Sequence, residues 1–432
     1  MPPAGFCANR GDGLRVWTLA VLGLAAREIF SFWTGHPYDF ELWVRTGYWV
    51  ARGANPYGFV NPAPGLSFVD NISVGGNPTI AYLPFWPLLL AALYSLYAML
   101  GSPTPYLYYF IIKQPIILCD VLLAYLLYRY LDRRGSDKAS FVYKVWLFSP
   151  LNIILSGIWG MFEAIPALLL VCALTARAGA YRGMWAGLAT FAKSIPLIFS
   201  IPLAGGPKWL RNLAIAIGIP VLASLAVVWL AGWSSSIFNS TLQSTIAKGG
   251  LSMSLWEMVF YLYSVNVLSS SALWVYSLAG YVWVLGVLAA TAVAYRWFGF
   301  DTERGVVQSL LLIVLTFLLL RGQVDTQYSV YLFALALIDI AMWSPKRLGL
   351  FYSLLAVVLI LLITNDVLLI RFLAPVYPQS LTIEGNVISA IDPERNALLF
   401  VGAMAFCALN IYYFYSLSKE RYQRTGDAAL SD

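Results

Sequence analysis

Long apolar runs recur from one end of the chain to the other, and they restrict it to very few folds. Each run is close to the ~20 residues that an α-helix needs to cross a bilayer. The clearest runs are Val16–Thr34, Tyr106–Leu131, Val142–Ile158, Phe162–Arg177, Met184–Ala204, Leu213–Trp233, Leu273–Arg296, Val306–Leu320, Tyr328–Trp343, Leu350–Ile370 and Ala397–Leu417. Only 11% of the 432 residues are charged, whereas soluble domains are about 25% charged. The sequence therefore predicts an all-α, polytopic membrane bundle of about 11 to 13 spans.

Basic residues lie in short clusters between these runs, and their positions predict the topology. The clusters are Arg129/Arg133/Arg134/Lys138/Lys144, Lys208/Arg211, Arg296/Arg304, Lys346/Arg347 and Lys419/Arg421/Arg424. The positive-inside rule places all of them in the cytoplasm, so the net charge of +6 reflects topology and not nucleic-acid binding. The first run lacks a small-residue cleavage site, which predicts a retained helix and a cytoplasmic N-terminus.

Two apolar segments cannot be simple spans if this rule holds. A crossing at 81–101 would put the cluster around Arg133 outside, so Tyr82–Met99 is expected to lie in the outer interface or to dip partway into the bilayer. The number of crossings between successive basic clusters likewise predicts that 183–205 is a short broken hairpin with Lys193 near its outer tip. A single span with Lys208 outside is the alternative. The preferred topology makes 35–105 one large exterior loop.

The first exterior loop contains the acidic residue best placed for chemistry. Asp39 follows the first helix closely, where a carboxylate can reach a phosphate-linked sugar and accept a proton from an incoming hydroxyl group. An ordinary interfacial acid is the alternative. Glu41 could hold a divalent cation jointly with Asp39, or pair with Arg45 if the chain is helical there. His36 could assist proton transfer or bind phosphate, or be a solvated residue.

Other charged residues are expected within or at the ends of the helices. Asp120 lies inside an apolar run, where a charge costs roughly 2.5–3.5 kcal/mol or more, so it must pair with Lys113 or a neighbouring helix, or serve a function. Glu163 and Lys193 are expected on the Asp39 side. A lysine there suits a phosphate leaving group, with snorkelling to the lipid headgroups as the alternative. Arg321 is a second phosphate-binding candidate.

The order of these motifs resembles the GT-C superfamily of multi-spanning glycosyltransferases that use polyprenyl-phosphate sugars. The resemblance covers roughly the first 345 residues. Its motifs are the exterior acid Asp39, Trp43 with Gly53-Ala54-Asn55-Pro56-Tyr57, Tyr82-Leu83-Pro84, Gly160-Met161-Phe162-Glu163, Ala192-Lys193-Ser194-Ile195-Pro196 and Asp325-Thr326-Gln327-Tyr328. Met161 and Thr326 depart from the Gln and Pro that are usual in such segments.

The resemblance implies a catalytic membrane module at 1–345, followed by C-terminal helices and a short cytoplasmic tail at 346–432. It implies inverting transfer of mannose or glucose from a dolichyl or polyprenyl phosphate to a lipid-linked or protein glycan acceptor, with no nucleic acid involved. Asp39 would be the base, and His36, Glu41, Glu163, Lys193, Arg321 and Gln327 would contact substrate. No cofactor is implied, and a divalent cation at Asp39 and Glu41 stays an alternative.

The topology predicts an active site on the exterior face, and the compact loops favour the plasma membrane over the endoplasmic reticulum. Two other classes of protein remain open. A transporter or lipid flippase would use Asp120 and the broken segment at Lys193 as its substrate path. A non-catalytic partner of a larger membrane enzyme would not need Asp39.

Overall fold

The protein is built from α-helices joined by short irregular segments. The computed structural model describes residues 10–58, 61–69, 80–176, 179–233, 253–269 and 274–429, and no β-strand occurs among them. The helices are α1 (Arg10–Ser31), α2 (Asp39–Val50), α3 (Phe85–Met99), α4 (Pro105–Asp132), α5 (Ala139–Leu147), α6 (Pro150–Ile153), α7 (Ala164–Thr175), α8 (Gly179–Ala192), α9 (Ser200–Ala204), α10 (Trp209–Ala231), α11 (Glu257–Ser264), α12 (Trp274–Phe298), α13 (Glu303–Leu320), α14 (Ser329–Met342), α15 (Leu348–Asn365) and α16 (Ser380–Ala429). The all-α prediction is confirmed.

Several of these helices are long and apolar enough to cross a bilayer. Within the described ranges there are 6 such helices, or 7 if α5 and the bent segment that follows it form one span. They are Pro105–Asp132, Trp209–Ala231, Gly280–Phe298, Glu303–Leu320, Pro345–Asn365 and Ser380–Glu420. The protein is therefore an integral, multi-pass membrane protein. The predicted count of 11 to 13 would require the shorter apolar helices to cross as well.

α3 corresponds to the segment that was expected not to cross the bilayer. It begins after Pro84 and has 15 residues, which span about 22 Å, less than the ~30 Å hydrocarbon core. Its Trp86 and Leu90 are buried, whereas Met99 is exposed. The helix thus packs on the protein through one face, and its place at the outer interface stays a prediction.

The segment at 183–205 is a broken hairpin, as predicted. α8 ends at Ala192, and the chain then passes through a 3₁₀ turn into α9. The carbonyl oxygen of Ala204 accepts a hydrogen bond of 3.1 Å from Asn212, while Gly183 packs on the backbone of the same Asn212. Ala204 has therefore returned to the level at which Gly183 lies, so the chain reverses near Lys193 and does not cross once.

Ion pairs between distant parts of the chain gather the basic clusters at one end of the bundle, which we call the basic end. The pairs are Arg134–Glu303, Arg304–Glu420, Arg347–Glu420 and Arg347–Asp339. Gly205, just before the Lys208 cluster, packs on the carbonyl of Phe300 near the same pairs. This common end is what the positive-inside rule requires, and it agrees with an 81–101 segment that does not cross.

The buried acid Asp120 has its partners on neighbouring helices. It accepts hydrogen bonds of 2.8 Å from Arg27, 2.8 Å from Trp146 and 2.9 Å from Ser156. The predicted alternative of an Asp120–Lys113 pair is wrong, because the Lys113 ammonium group bonds elsewhere, as described below. The expectation of a donor from a neighbouring helix is confirmed, since Arg27 belongs to α1 and Asp120 to α4.

Candidate functional site

Asp39 is the first residue of α2, at the end of the bundle away from the basic end. α4 joins the two ends, because its Tyr130 reaches Glu303 and its Tyr109 packs against Phe40. A carboxylate in the first turn of a helix is stabilised by the free N–H groups and by the helix dipole. The side chain of Asp39 is 20% exposed, so a substrate can reach it. We call this region the Asp39 end.

His36 holds the start of α2 and is neutral. Its Nδ1 accepts hydrogen bonds from the backbone N–H groups of Tyr38 at 3.3 Å and Asp39 at 3.1 Å, which requires an unprotonated Nδ1. Burial, followed by the charge of Arg371, lowers the pKa of His36 well below its usual value of 6.5. The structure thus gives this histidine a capping position beside Asp39. A contact with substrate stays a prediction.

Trp159 is the donor that orients the Asp39 carboxylate, and sequence reasoning missed it. Its indole N–H donates to Asp39 Oδ2 at 3.1 Å, and its ring stacks on His36 with centroids 4.8 Å apart. The tryptophan ends a π-helical turn, Ile154–Trp159, and Gly160 follows at a φ of +81°. π-Helical turns are rare and frequently occur at functional sites. This turn directs the indole toward Asp39.

Lys113 fixes that turn from behind. Its ammonium group donates to the carbonyl oxygens of Thr34 at 2.6 Å, Gly157 at 2.8 Å and Ile158 at 3.1 Å. The lysine is fully buried, so it joins the loop before α2 to the turn that carries Trp159. Carbonyl oxygens that the π-helical geometry leaves without helical partners are satisfied in this way.

Glu41 is turned away from Asp39. Its Oε1 accepts a hydrogen bond of 2.5 Å from Arg45, and its Oε2 accepts one of 3.0 Å from the backbone N–H of Phe68. The predicted alternative of a Glu41–Arg45 pair is confirmed. A divalent cation shared by Asp39 and Glu41 does not fit this arrangement, because both Glu41 oxygens are engaged; the described residues also contain no group of three metal-binding side chains.

Glu163 and Lys193, predicted on the same side of the membrane, form a buried ion pair with each other. Aromatic rings enclose the ammonium group, with centroids 4.9 Å away in Phe162, 5.3 Å in Tyr82 and 5.1 Å in Tyr328. Such cation–π contacts hold a lysine without consuming its N–H donors. The pair fixes the Lys193 ammonium group among these rings.

Arg321 joins Lys193 at the ring of Tyr328. Its guanidinium lies 4.8 Å from the centroid of that ring, so the two predicted phosphate-binding cations flank one aromatic side chain. Gln327 is buried next to Tyr328 and donates to Asp325 at 3.5 Å. Its Oε1 has no partner in the part of the chain that the structure describes.

Tyr82 lies at the meeting point of these groups. Burial raises the pKa of its hydroxyl well above 10, and the negative charges of Asp39, Glu163 and Asp325 raise it further. The Tyr82 ring packs against Phe162 with centroids 5.0 Å apart, and the Lys193 ammonium lies 5.3 Å from that ring and 5.1 Å from the ring of Tyr328. The structure thus brings together the motifs at 39, 82, 163, 193 and 325–328, which are far apart in the sequence.

A segment of the C-terminal half completes the site, and sequence reasoning missed it too. After α15, the residues Val367, Leu368 and Leu369 all have positive φ angles, of 39°, 54° and 65°. The turn carries Phe372 back to the first loop, where its carbonyl accepts a 2.9 Å hydrogen bond from Gly35. Its ring packs 5.6 Å from that of Trp159. The division at residue 345 stays a prediction, but contacts at the site cross it.

The architecture and the site together define a class, that of helical multi-pass membrane proteins with a polar site at one end of the bundle. No protein-family model matches the chain, and no curated protein matches it significantly. Among solved structures it is similar to ArnT from Cupriavidus metallidurans, crystallised bound to undecaprenyl phosphate, with a TM-score of 0.48 and 13% sequence identity over 98% of this chain and 79% of that chain. What the protein does is inferred below from its own side chains.

Proposed function

We propose that the protein is a glycosyltransferase that moves a hexose, mannose or glucose, from a dolichyl or polyprenyl phosphate to a lipid-linked glycan or other acceptor. One observation carries this proposal. Asp39, which substrate can reach, lies at the same end of the bundle as two cations, Lys193 and Arg321, and both cations contact the ring of Tyr328. A base opposite fixed positive charges suits a displacement in which a phosphate group leaves.

The proposed reaction forms a bond between an acceptor oxygen and the anomeric carbon, while the bond from that carbon to the phosphate oxygen breaks. The acceptor proton passes to Asp39, and the electron pair of the broken bond stays on the departing lipid phosphate. Lys193 and Arg321 stabilise that charge. Attack opposite the leaving group inverts the anomeric carbon. Trp159 keeps the Asp39 carboxylate oriented through its 3.1 Å hydrogen bond.

The proposed donor explains why the site lies at the end of a membrane bundle. A lipid phosphate keeps its chain among the apolar helices and presents its sugar at the interface. Since the basic end is cytoplasmic by the positive-inside rule, the Asp39 end faces the exterior or the lumen. We place the enzyme in a plasma membrane in preference to the endoplasmic reticulum. We also propose that transfer needs no divalent cation, because Glu41 is engaged with Arg45.

The transporter alternative requires Asp120 to face a substrate path. That carboxylate instead accepts hydrogen bonds from Arg27, Trp146 and Ser156. Asp120 is thus bound within the protein, where it stabilises the contact between helices.

The test is sugar transfer from radiolabelled polyprenyl-phosphate-mannose and -glucose by protein in nanodiscs. We expect Asp39→Asn to reduce the rate by about 10²–10⁴, because an amide cannot accept the acceptor proton. The matched control is Asp137→Asn, which alters an exposed acid at the basic end and should transfer at the wild-type rate. Full activity in a folded Asp39→Asn protein would remove Asp39 as the base. No transfer by the wild type from either donor would contradict the proposed reaction.

A further inference from the structure

We propose that a cavity beside Trp159 is a subsite for a polyhydroxylated part of the acceptor, and that Asp366 accepts a hydrogen bond from one of its hydroxyl groups. This inference rests on the proposed function and deepens it, because it names the chemical class of the acceptor. It also assigns a binding residue to the C-terminal part of the chain, outside the module at 1–345.

The cavity borders Trp159, whose indole N–H bonds to Asp39. It has a volume of about 50 Å³, and its polar lining residues are Trp159, Glu257, Asp325, Thr326, Asn365 and Asp366. Leucines of α15 and α16, with Met253 and Val324, form its apolar lining. This volume holds a few water-sized groups, such as a hydroxymethyl group, and not a whole sugar ring. A ring at Asp39 could place one substituent here.

Asp366 supplies an acceptor atom that the protein does not use. The residue is fully buried. Its Oδ1 accepts hydrogen bonds from Arg371 at 3.1 Å and Asn365 at 3.3 Å, whereas its Oδ2 has no partner within the described ranges. A buried acceptor left unsatisfied costs about 1–3 kcal/mol. A ligand that donates a hydrogen bond in the cavity would recover that cost.

The unused oxygen of Asp366 calls for a hydrogen-bond donor. Arg371 forms ion pairs with both Asp366 and Glu384, so a neutral donor completes the hydrogen bonding without adding a charge to this group. A hydroxyl group meets this need. The leucine side of the cavity suits the C–H face of a sugar or a glycerol unit, because such groups carry apolar and hydroxyl surfaces side by side.

The backbone around Asp366 adds a second observation. The three residues that follow it have positive φ angles and are valine or leucine, for which this conformation costs of the order of 1–3 kcal/mol each. Strain of this kind persists only where the surroundings impose it, and it concentrates at ligand sites. Here the strained turn directs Asp366 into the cavity and packs Phe372 against Trp159.

The experiment measures binding of methyl α-mannoside and methyl α-glucoside to the full chain in nanodiscs, by saturation-transfer NMR with empty nanodiscs as the blank. Asp366→Asn keeps the size of the side chain and its carbonyl acceptor for Arg371, but replaces the unused oxygen by an NH₂ group. We expect a Kd about tenfold weaker. Glu384→Gln is the matched control, because Glu384 pairs with the same Arg371 but does not line the cavity. Its Kd should stay within about twofold of wild type.

Thr326→Val gives a second variant in case Asp366→Asn does not fold, since valine is isosteric and Thr326 does not contact Arg371. It should weaken binding about threefold. Unchanged binding in the folded variants, or no binding by the wild type, would overturn the inference and leave only ordered water in the cavity. Transfer from the labelled donor is measured in parallel. A wild type that binds the glycosides but consumes no donor would contradict the proposed function and not the subsite.

Discussion

The two ends of the bundle solve the same problem of burying charge in different ways. At the basic end, Arg347 links Asp339 of α14 to Glu420 of α16. It lies in a short 3₁₀ turn before α15, and α13 is capped by Thr302. At the Asp39 end the backbone is irregular, with a π-helical turn, 3₁₀ turns and three successive positive φ angles. Irregular backbone is tolerated at membrane depth only where protein or water covers it.

The difference teaches which end is built for stability and which for binding. Ion pairs at the basic end join segments that are far apart in the sequence, so they fix the arrangement of helices. Among the described residues, buried oxygens without a hydrogen-bond partner include those of Glu163, Gln327 and Asp366 at the Asp39 end, against Asp339 at the basic end. The oxygens at the Asp39 end can bond to a ligand without first breaking a contact within the protein.

The largest effect is expected for Lys193. Lys193→Met should reduce kcat by about 10²–10³, the usual cost of removing one group that stabilises transition-state charge. The variant also leaves Glu163 without its cation. The double variant Lys193→Met/Glu163→Gln should therefore recover stability but not transfer, as measured by heat inactivation and by radiolabelled transfer. Recovery of transfer in the double variant would show that Lys193 acts only structurally.

The opposite pattern is expected at the basic end. Arg347→Met should lower the free energy of unfolding by about 3–5 kcal/mol, because it leaves Asp339 buried without its cation. Transfer per folded molecule should be unchanged, since the site is a helix length away. Unfolding in mixed micelles measures the free energy of unfolding. Titration of the active fraction gives the transfer rate per folded molecule. A large loss of kcat in the folded fraction would contradict the purely structural role given to the basic end.

A smaller effect is expected from the pKa of His36, which burial and Arg371 lower in the folded protein. The unfolded imidazole titrates near pH 6.5, so below that pH the unfolded state binds the proton first and the free energy of unfolding falls. The fall levels off below the folded pKa and cannot exceed about 1.4 kcal/mol per pH unit. His36→Asn keeps an acceptor for the start of α2 but does not titrate. The difference between wild type and variant, measured from pH 8 to 5, should therefore narrow toward acid.

The smallest effect is expected from metal removal. Chelation with EDTA should change the transfer rate by less than about twofold, because both Glu41 oxygens are engaged and the described residues hold no group of three metal-binding side chains. Added Mg²⁺ or Mn²⁺ serves as the matching control. Loss of transfer on chelation, with recovery when Mg²⁺ or Mn²⁺ is added back, would assign a cation to Asp39. It would also add a metal site to the differences between the two ends.

Much of the fold could be predicted from the sequence because membrane helices follow local rules. The lengths of the apolar runs predicted the helices, and the distribution of Lys and Arg predicted that the basic clusters share one end. The topology inferred from the basic clusters also predicted the hairpin at 183–205, with Lys193 near its tip. The Arg27–Asp120 pair was only half predictable, since a buried acid requires a donor but does not indicate which one.

The motifs that form the site could be predicted from the sequence, but their arrangement in space could not. Glu163 and Lys193 were placed on one side, yet their direct pairing depends on tertiary geometry. Lys113 gave a misleading signal, because a lysine in an apolar run suggests an acid partner, whereas here its partners are carbonyl oxygens. The turn after Asp366 left no trace in the sequence, since Val-Leu-Leu is normally helical or extended.

The hydrogen bond from Gly35 to Phe372 also bears on how the protein is made. A ribosome delivers the first loop and Asp39 long before it delivers Phe372. During insertion, the indole of Trp159 and the start of α2 therefore lack one side of their packing until the late helices arrive. A nascent chain cannot assemble the complete Asp39 end early. The ability to bind substrate there would therefore appear in a single late step of membrane insertion.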